Sequence, residues 1–138
     1  IKNPPGWQHA PFSAHGCTLF AKLRHLDPAD RGRVVTNFRR DKWYARMVAG
    51  LTVLPLSEFA TQHTAMVRWA PETYFNPHRH YGGEEIFVVE GTFADEFGEY
   101  PAGTWLRSPH LHQPFSREGC LIFVKTGHLP VAGIPTAL

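Results

Sequence analysis

Cysteine is scarce in this 138-residue chain. Cys17 and Cys120 are the only two, so there is no disulfide framework and no Cys-x-x-Cys metal spacing. Each opens an apolar, strand-like run, and both read as buried free thiols. Charge is scarce as well: 19% of the residues are charged, the formal net charge is +2, and no long basic run occurs. That composition argues against disorder and gives nucleic acid no electrostatic footprint. Long apolar runs are missing too. Residues 86–89 (Ile-Phe-Val-Val) and 121–124 (Leu-Ile-Phe-Val) are far too short to cross a bilayer, so no membrane partner is expected. No basic-then-apolar leader opens the chain, which points to the cytoplasm. Residues 1–6, without an initiator Met, read as a processing boundary.

What is present suits one ordinary domain, or one domain with part of another. Hydrophobic residues make up 43% and aromatics 13%, enough for a core, and 12 glycines and 12 prolines punctuate short apolar runs. This pattern predicts an all-β chain with many turns. Strands are expected over residues 17–24, weakly over 34–38, over 51–54 ending at Pro55, and over 63–69. In the last of these Ala65, Val67 and Trp69 share one face. A further strand over 85–90 ends at Gly91, and 92–97 pairs back across that glycine; 104–108 and 120–126 complete the set. Short strands at close spacing predict a sandwich or barrel. Residues 39–42 read as a solvated charged loop, Trp43 and Tyr44 as packing anchors, 71–77 as a loop, and His63 as a surface histidine.

The chain also repeats itself. Residues 9–26 (HAPFSAHGCTLFAKLRHL) align with 112–129 (HQPFSREGCLIFVKTGHL) at an offset of 103 (112 − 9). Ten of the eighteen positions are identical, which chance does not supply in so short a chain. Residues 1–30 therefore read as the closing strands of a first, incomplete unit plus linker, and 31–138 as a second, complete unit. Either the parent protein carries two tandem units, or the N-terminal strands pack onto the complete one. His9 in this reading is a ligand position without partners in its own copy.

The organising stretch is His78-Arg79-His80-Tyr81-Gly82-Gly83-Glu84. A strand would aim alternate residues, His78 and His80, into one space. Gly82 and Gly83 allow the sharp bend that returns the Glu84 carboxylate to it. Two imidazoles and a carboxylate suit a divalent transition metal, and a third imidazole, from His112, would fill four positions. The bland alternative is two surface histidines beside a turn; it leaves the paired glycines and the acid unexplained.

The spacing His78-x-His80-x-x-x-Glu84-x6-Gly91, followed by Pro109 and His112, is similar to the metal motifs of the cupin superfamily. More narrowly, residues 82–91 (GGEEIFVVEG), 100–104 (YPAGT) and His112-x-Pro-Phe-Ser followed by Glu118-Gly-Cys120 resemble the ChrR-like cupins. This group takes in anti-sigma factor ChrR sensor domains and acetylacetone-cleaving dioxygenase-like proteins. The resemblance spans about 43–129, plus the repeat at 9–28. It implies an all-β cupin double-stranded β-helix, a jelly-roll-like antiparallel barrel. It also implies His78, His80, Glu84 and His112 as metal ligands, with His110 the alternative to His112. Two positions depart from the pattern: Glu72 stands where a glycine is expected six residues before His78, and Pro109-His110-Leu111 replaces Pro-x-Gly. Glu85, next to Glu84, should face the other way.

One divalent metal is expected, zinc first, with iron, manganese or nickel as alternatives. The resemblance implies a sensory module of a ChrR-like anti-sigma factor or related stress-response regulator, its partner a sigma-factor-binding domain or protein. The alternative is a small iron-dependent dioxygenase acting on a β-diketone-like substrate bound in the barrel, and a metal-stabilised barrel without substrate is the third reading. Pairing as a homodimer or as tandem cupins is expected, because the N-terminal strand segment offers an unpaired edge.

Overall fold

Two compact units divide the chain, residues 1–36 and 37–138. The computed structural model describes residues 1–46 and 48–130, so residues 131–138 of the expected second unit lie outside the described residues. Among the described residues there is no helix, and none is therefore long and apolar enough to cross a membrane.

The second unit carries the strands: β1 (Tyr44–Ala45), β2 (Leu51–Phe59), β3 (Gln62–Trp69), β4 (Thr73–Tyr74), β5 (Glu84–Asp95), β6 (Gly98–Pro101), β7 (Trp105–Ser108), β8 (Phe115–Ser116) and β9 (Cys120–Thr126). They run in the order β1-β2-β3-β9-β5-β8-β4, with β6 and β7 also on β5, and every pairing is antiparallel. This is the all-β, antiparallel architecture expected from the motifs.

β5 is the spine of the unit, and its length differs from the expectation. The sequence places a hairpin turn at Gly91, yet β5 runs straight through it for 12 residues and turns only beyond Asp95. A register shift between Val88 and Glu90 marks the passage. The bulge bends the strand rather than ending it, so its first half pairs with β7 and β9 and its second with β6 and β8. β2 likewise runs past Pro55, absorbing it at a bulge between Pro55 and Ser57, where a missing N–H is tolerated.

Two apolar clusters sandwich the sheet. Leu51, Trp69, Ile86, Val88, Phe93, Cys120 and Ile122 form the inner one, and Leu54, Met66 and Leu121 the outer one. Adjacent residues of β9 alternate between them, so this strand is buried on both faces, as the run Cys-Leu-Ile-Phe-Val requires. Trp43 joins the outer cluster and donates its indole N–H to the Phe38 carbonyl at 2.8 Å, as an anchor should. Tyr44 instead stays substantially exposed.

The first unit has no strand among its described residues, only an isolated Lys2–Val34 bridge. An ion pair between Lys2 Nζ and the buried Asp30 carboxylate, 2.7 Å, holds it, and Arg33 sits over the Trp7 ring. The expected strand at 17–24 does not form here, and Cys17, expected to be buried, is exposed. Its would-be strand lacks paired neighbours within the unit, and a β segment without neighbours is not stable in water.

Candidate metal centre

Residues 77–83 form no strand; His78 is instead fixed by a two-residue bridge to His112. Each backbone N–H donates to the other's carbonyl, at 2.9 and 3.0 Å. The chain then turns through Gly82 and Gly83, both at positive φ (75° and 63°). Side chains there would collide with Gly127 and Leu129, which dock on this turn through Leu129 N–H to Gly82 O at 2.7 Å. The paired glycines thus deliver Glu84 into the start of β5 by close approach as well as by backbone freedom.

His78, Glu84 and His112 each offer one ligand atom, and these atoms lie within 4.8 Å of one another. Both rings are oriented. His78 Nδ1 lies 3.0 Å from the Asn76 carbonyl, and His112 Nδ1 lies 3.1 Å from Asp95 Oδ2. An Nδ1–H donated to an oxygen leaves each Nε2 with its lone pair for a metal. His112 Nε2 is buried, has no partner with hydrogen-bond geometry, and stands 2.6 Å from Glu84 Oε1. A buried imidazole nitrogen and a buried carboxylate brought to one point, with His78 beside them, are a donor set that suits a divalent transition metal. His80 lies outside this group. Its Nε2 is 3.7 Å from Glu84 Oε2 and its ring packs edge-on to His78 at 5.0 Å, at the more exposed rim. His110 is exposed, its N–H taken by Ser108 Oγ.

The charges reinforce one another. Burial alone would lower the His112 pKa, but the Glu84 and Asp95 carboxylates outweigh it and raise it to about 8. Burial lowers the His80 pKa, with Glu84 only partly offsetting and the neighbouring histidines adding to the fall. Burial, with the Asp95 carboxylate next to it, pushes the Tyr100 phenol up to about 12, so it stays a donor. A cavity of about 190 Å³ opens on the centre, lined by Glu84, Ile86, Asp95, Tyr100, Leu106 and His112 among others. That volume admits a ligand of a few heavy atoms rather than a drug-sized one.

The family model described as the ChrR cupin-like domain matches residues 31–130. The chain belongs to the ChrR cupin-like family. Its fold is shared with an acetylacetone dioxygenase from Acinetobacter johnsonii, at 17% identity and TM-score 0.60 over 79% of this chain and 80% of that one. It is shared also with the anti-sigma factor ChrR of Rhodobacter sphaeroides, solved in complex with SigE, at 19% identity and TM-score 0.59 over 66% of this chain. The match spans about half of the ChrR chain, 51%. KdgF from Halomonas sp. aligns at 20% identity and TM-score 0.55, over 69% of this chain and 93% of that one. No curated protein sequence matches.

One family departure, Glu72, and one expected orientation, that of Glu85, acquire a physical reading. Glu72, in the place of the expected glycine, adopts φ of 55°, so the turn keeps the left-handed geometry without the residue that adopts it most easily. Glu85 points away from the centre to the opposite face of β5, with Oε1 2.9 Å from His128 Nε2 and 3.9 Å from Arg107 Nε. Sequence reading missed Asp95. With the hairpin tip placed at Gly91, Asp95 fell in mid-strand, although Asp followed three residues later by Gly98 is a turn signal that would have flagged it.

Proposed function

We propose that this chain is the metal-binding sensory module of a ChrR-like regulator. The observation that carries the reading is the convergence of His78, Glu84 and His112 on one point, with the buried His112 Nε2 2.6 Å from the Glu84 carboxylate. His80, within a short side-chain movement of the same carboxylate, is the fourth ligand. With all four in place a bound zinc is closed and redox-silent, which suits a sensor more than a catalyst. The small cavity lets an oxidant or small ligand reach the centre. A change there shifts the adjoining strands and their contact with a sigma-factor-binding domain or protein. Such a regulator works in the cytoplasm. The repeat supports a tandem arrangement, residues 1–30 closing a preceding cupin unit and 31–138 forming the complete one.

A second reading rests on the rim position of His80. With only His78, Glu84 and His112 engaged, a metal would have room for a further ligand from the cavity that Glu84 and His112 line. Iron there would supply Lewis-acid and redox chemistry toward a chelating β-diketone. The chain's own contribution would be to hold the substrate against the apolar wall of Ile86 and Leu106 and to keep bulk water out.

One experiment separates the two. The protein is loaded with iron or with zinc, and oxygen uptake is followed on adding pentane-2,4-dione. The sensory reading predicts no turnover with either metal, together with co-purification of a sigma-factor partner. Sustained, iron-dependent oxygen uptake would replace it with the dioxygenase.

A further inference from the structure

Asp95 stands at the end of β5, where the chain turns toward β6. Its two carboxylate oxygens do different things. Oδ1 accepts from the Phe97 N–H at 2.9 Å, the Gly98 N–H at 3.2 Å and the Tyr100 hydroxyl at 3.0 Å. Three donors on one oxygen fix the plane of the carboxylate and close the turn. Oδ2 is left to face His112 Nδ1 at 3.1 Å. The Asp95, His112 and Glu84 side chains are only 8%, 4% and 7% exposed, so these contacts are shielded from water. The next residue repeats the grip on the backbone, with Glu96 Oε2 accepting the Gln113 N–H at 2.8 Å. Consecutive carboxylates of one turn thus hold consecutive residues of the segment that brings His112 to the centre. Farther along, the Ser116 hydroxyl donates to the Thr92 carbonyl at 2.7 Å, and that segment lies along β5.

An ionised carboxylate only accepts hydrogen bonds. His112 faces a carboxylate from each ring nitrogen, Asp95 Oδ2 at 3.1 Å from Nδ1 and Glu84 Oε1 at 2.6 Å from Nε2; a metal taking Nε2 leaves the one ring proton on Nδ1, donated to Asp95. We propose that Asp95 is the positioning residue of this centre: it sets the His112 tautomer and makes the β5–β6 turn part of the metal site. The proposal rests on the metal-binding reading above. It names a residue outside the ligand set and ties the turn that carries Phe97 to occupancy of the site. A carboxylate serving only as a turn cap would use Oδ1 alone, and Oδ2 is what distinguishes the two roles.

Asp95→Asn separates them. Its carbonyl keeps accepting from Phe97 N–H, Gly98 N–H and the Tyr100 hydroxyl. Its amide N–H₂ replaces Oδ2 as a donor, forces Nδ1 to accept, and moves the ring proton onto Nε2 where a metal would bind. The first readout is spectroscopic. Nitrogen chemical shifts of the His112 ring in the zinc-loaded protein report a protonated Nδ1 with Nε2 on the metal in the wild type, and loss of that state in Asp95→Asn. The second is zinc affinity by competition with a chromogenic chelator, expected to fall about 10- to 100-fold in Asp95→Asn. Tyr100→Phe, which removes a contact to Oδ1 only, should leave the tautomer in place. Zinc-loaded wild-type protein in which His112 Nδ1 carries no proton overturns the proposal without any variant. So does a folded Asp95→Asn protein with unchanged ring shifts and unchanged zinc affinity. Failure of the wild-type protein to bind zinc, cobalt or iron sinks the metal reading, whereas zinc binding that survives Asp95→Asn unchanged sinks only the role of Asp95.

Discussion

Residues 9–26 and 112–129 are nearly the same sentence written twice, and they fold differently. In the second copy Cys120 and Ile122 are 6% and 3% exposed, and the run is a strand hydrogen-bonded to β3 on one side and β5 on the other. In the first, Leu19, at the position of Ile122, is 73% exposed, and no strand forms. Local backbone geometry is nevertheless shared. Gly16 and Gly119 sit at φ of 78° and 89°, and Arg24 adopts φ of 55° where its counterpart Gly127 has 77°. Turn geometry follows from the local sequence, whereas the strand is made by its neighbours. β propensity measures the fit to a pleated, half-buried surface, and the first copy has no such surface within its own unit.

Matched substitutions sharpen this contrast. The largest effect is expected in packing. Ile122→Ala leaves a cavity in the inner cluster and should cost about 2–5 kcal/mol in denaturant unfolding of the second unit. Leu19→Ala should change that stability by less than about 0.5 kcal/mol. Equal costs would mean that the first copy is buried in solution as the second one is.

Thiol chemistry gives the next contrast. Burial, only partly offset by a Ser116 contact, raises the Cys120 pKa to about 11, and Cys17 is exposed. A disulfide reagent near neutral pH should modify Cys17 promptly and Cys120 at least about 100-fold more slowly, until the protein is unfolded. Comparable rates at both cysteines would break the contrast.

The smallest effect is a pH dependence confined to the second copy. In the metal-free protein His112 has its pKa raised from 6.5 to about 8 by Glu84 and Asp95 against the opposing effect of burial. The folded state thus binds the proton more tightly than the unfolded chain. The added stability, about 1–2 kcal/mol, is fully present below pH 6.5 and is lost as pH rises through about 8. Metal affinity should run the other way, rising over the same interval as the metal no longer competes with a proton. Unfolding curves recorded across this range should show the slope in the wild-type protein and lose it in His112→Gln.

Much of this was legible beforehand, for identifiable reasons. The Gly82-Gly83 turn, the acid at 84 and the distant His112 are encoded by residue types with narrow structural uses, and the structure brings Glu84 and His112 together with His78. The two-faced burial of β9 was likewise visible in an unbroken apolar run. The expected hairpin at Gly91 failed because a glycine at a bulge and a glycine at a turn look alike in sequence. The strand at 17–24 and the burial of Cys17 failed because they depend on strands that the first unit does not contain. Asp95 escaped notice for a related reason: its partner lies 17 residues away, across a contact that only the sheet creates.

The most direct test of the account is metal content. Purified protein would be compared with His78→Ala, His112→Ala and, as the matched control from the first copy, His9→Ala, by elemental analysis after equilibration with zinc. The account predicts one tightly held equivalent in the wild-type protein and in His9→Ala, and its loss in His78→Ala and His112→Ala. Retention of that equivalent in His112→Ala, or no bound metal in the wild-type protein, would contradict it.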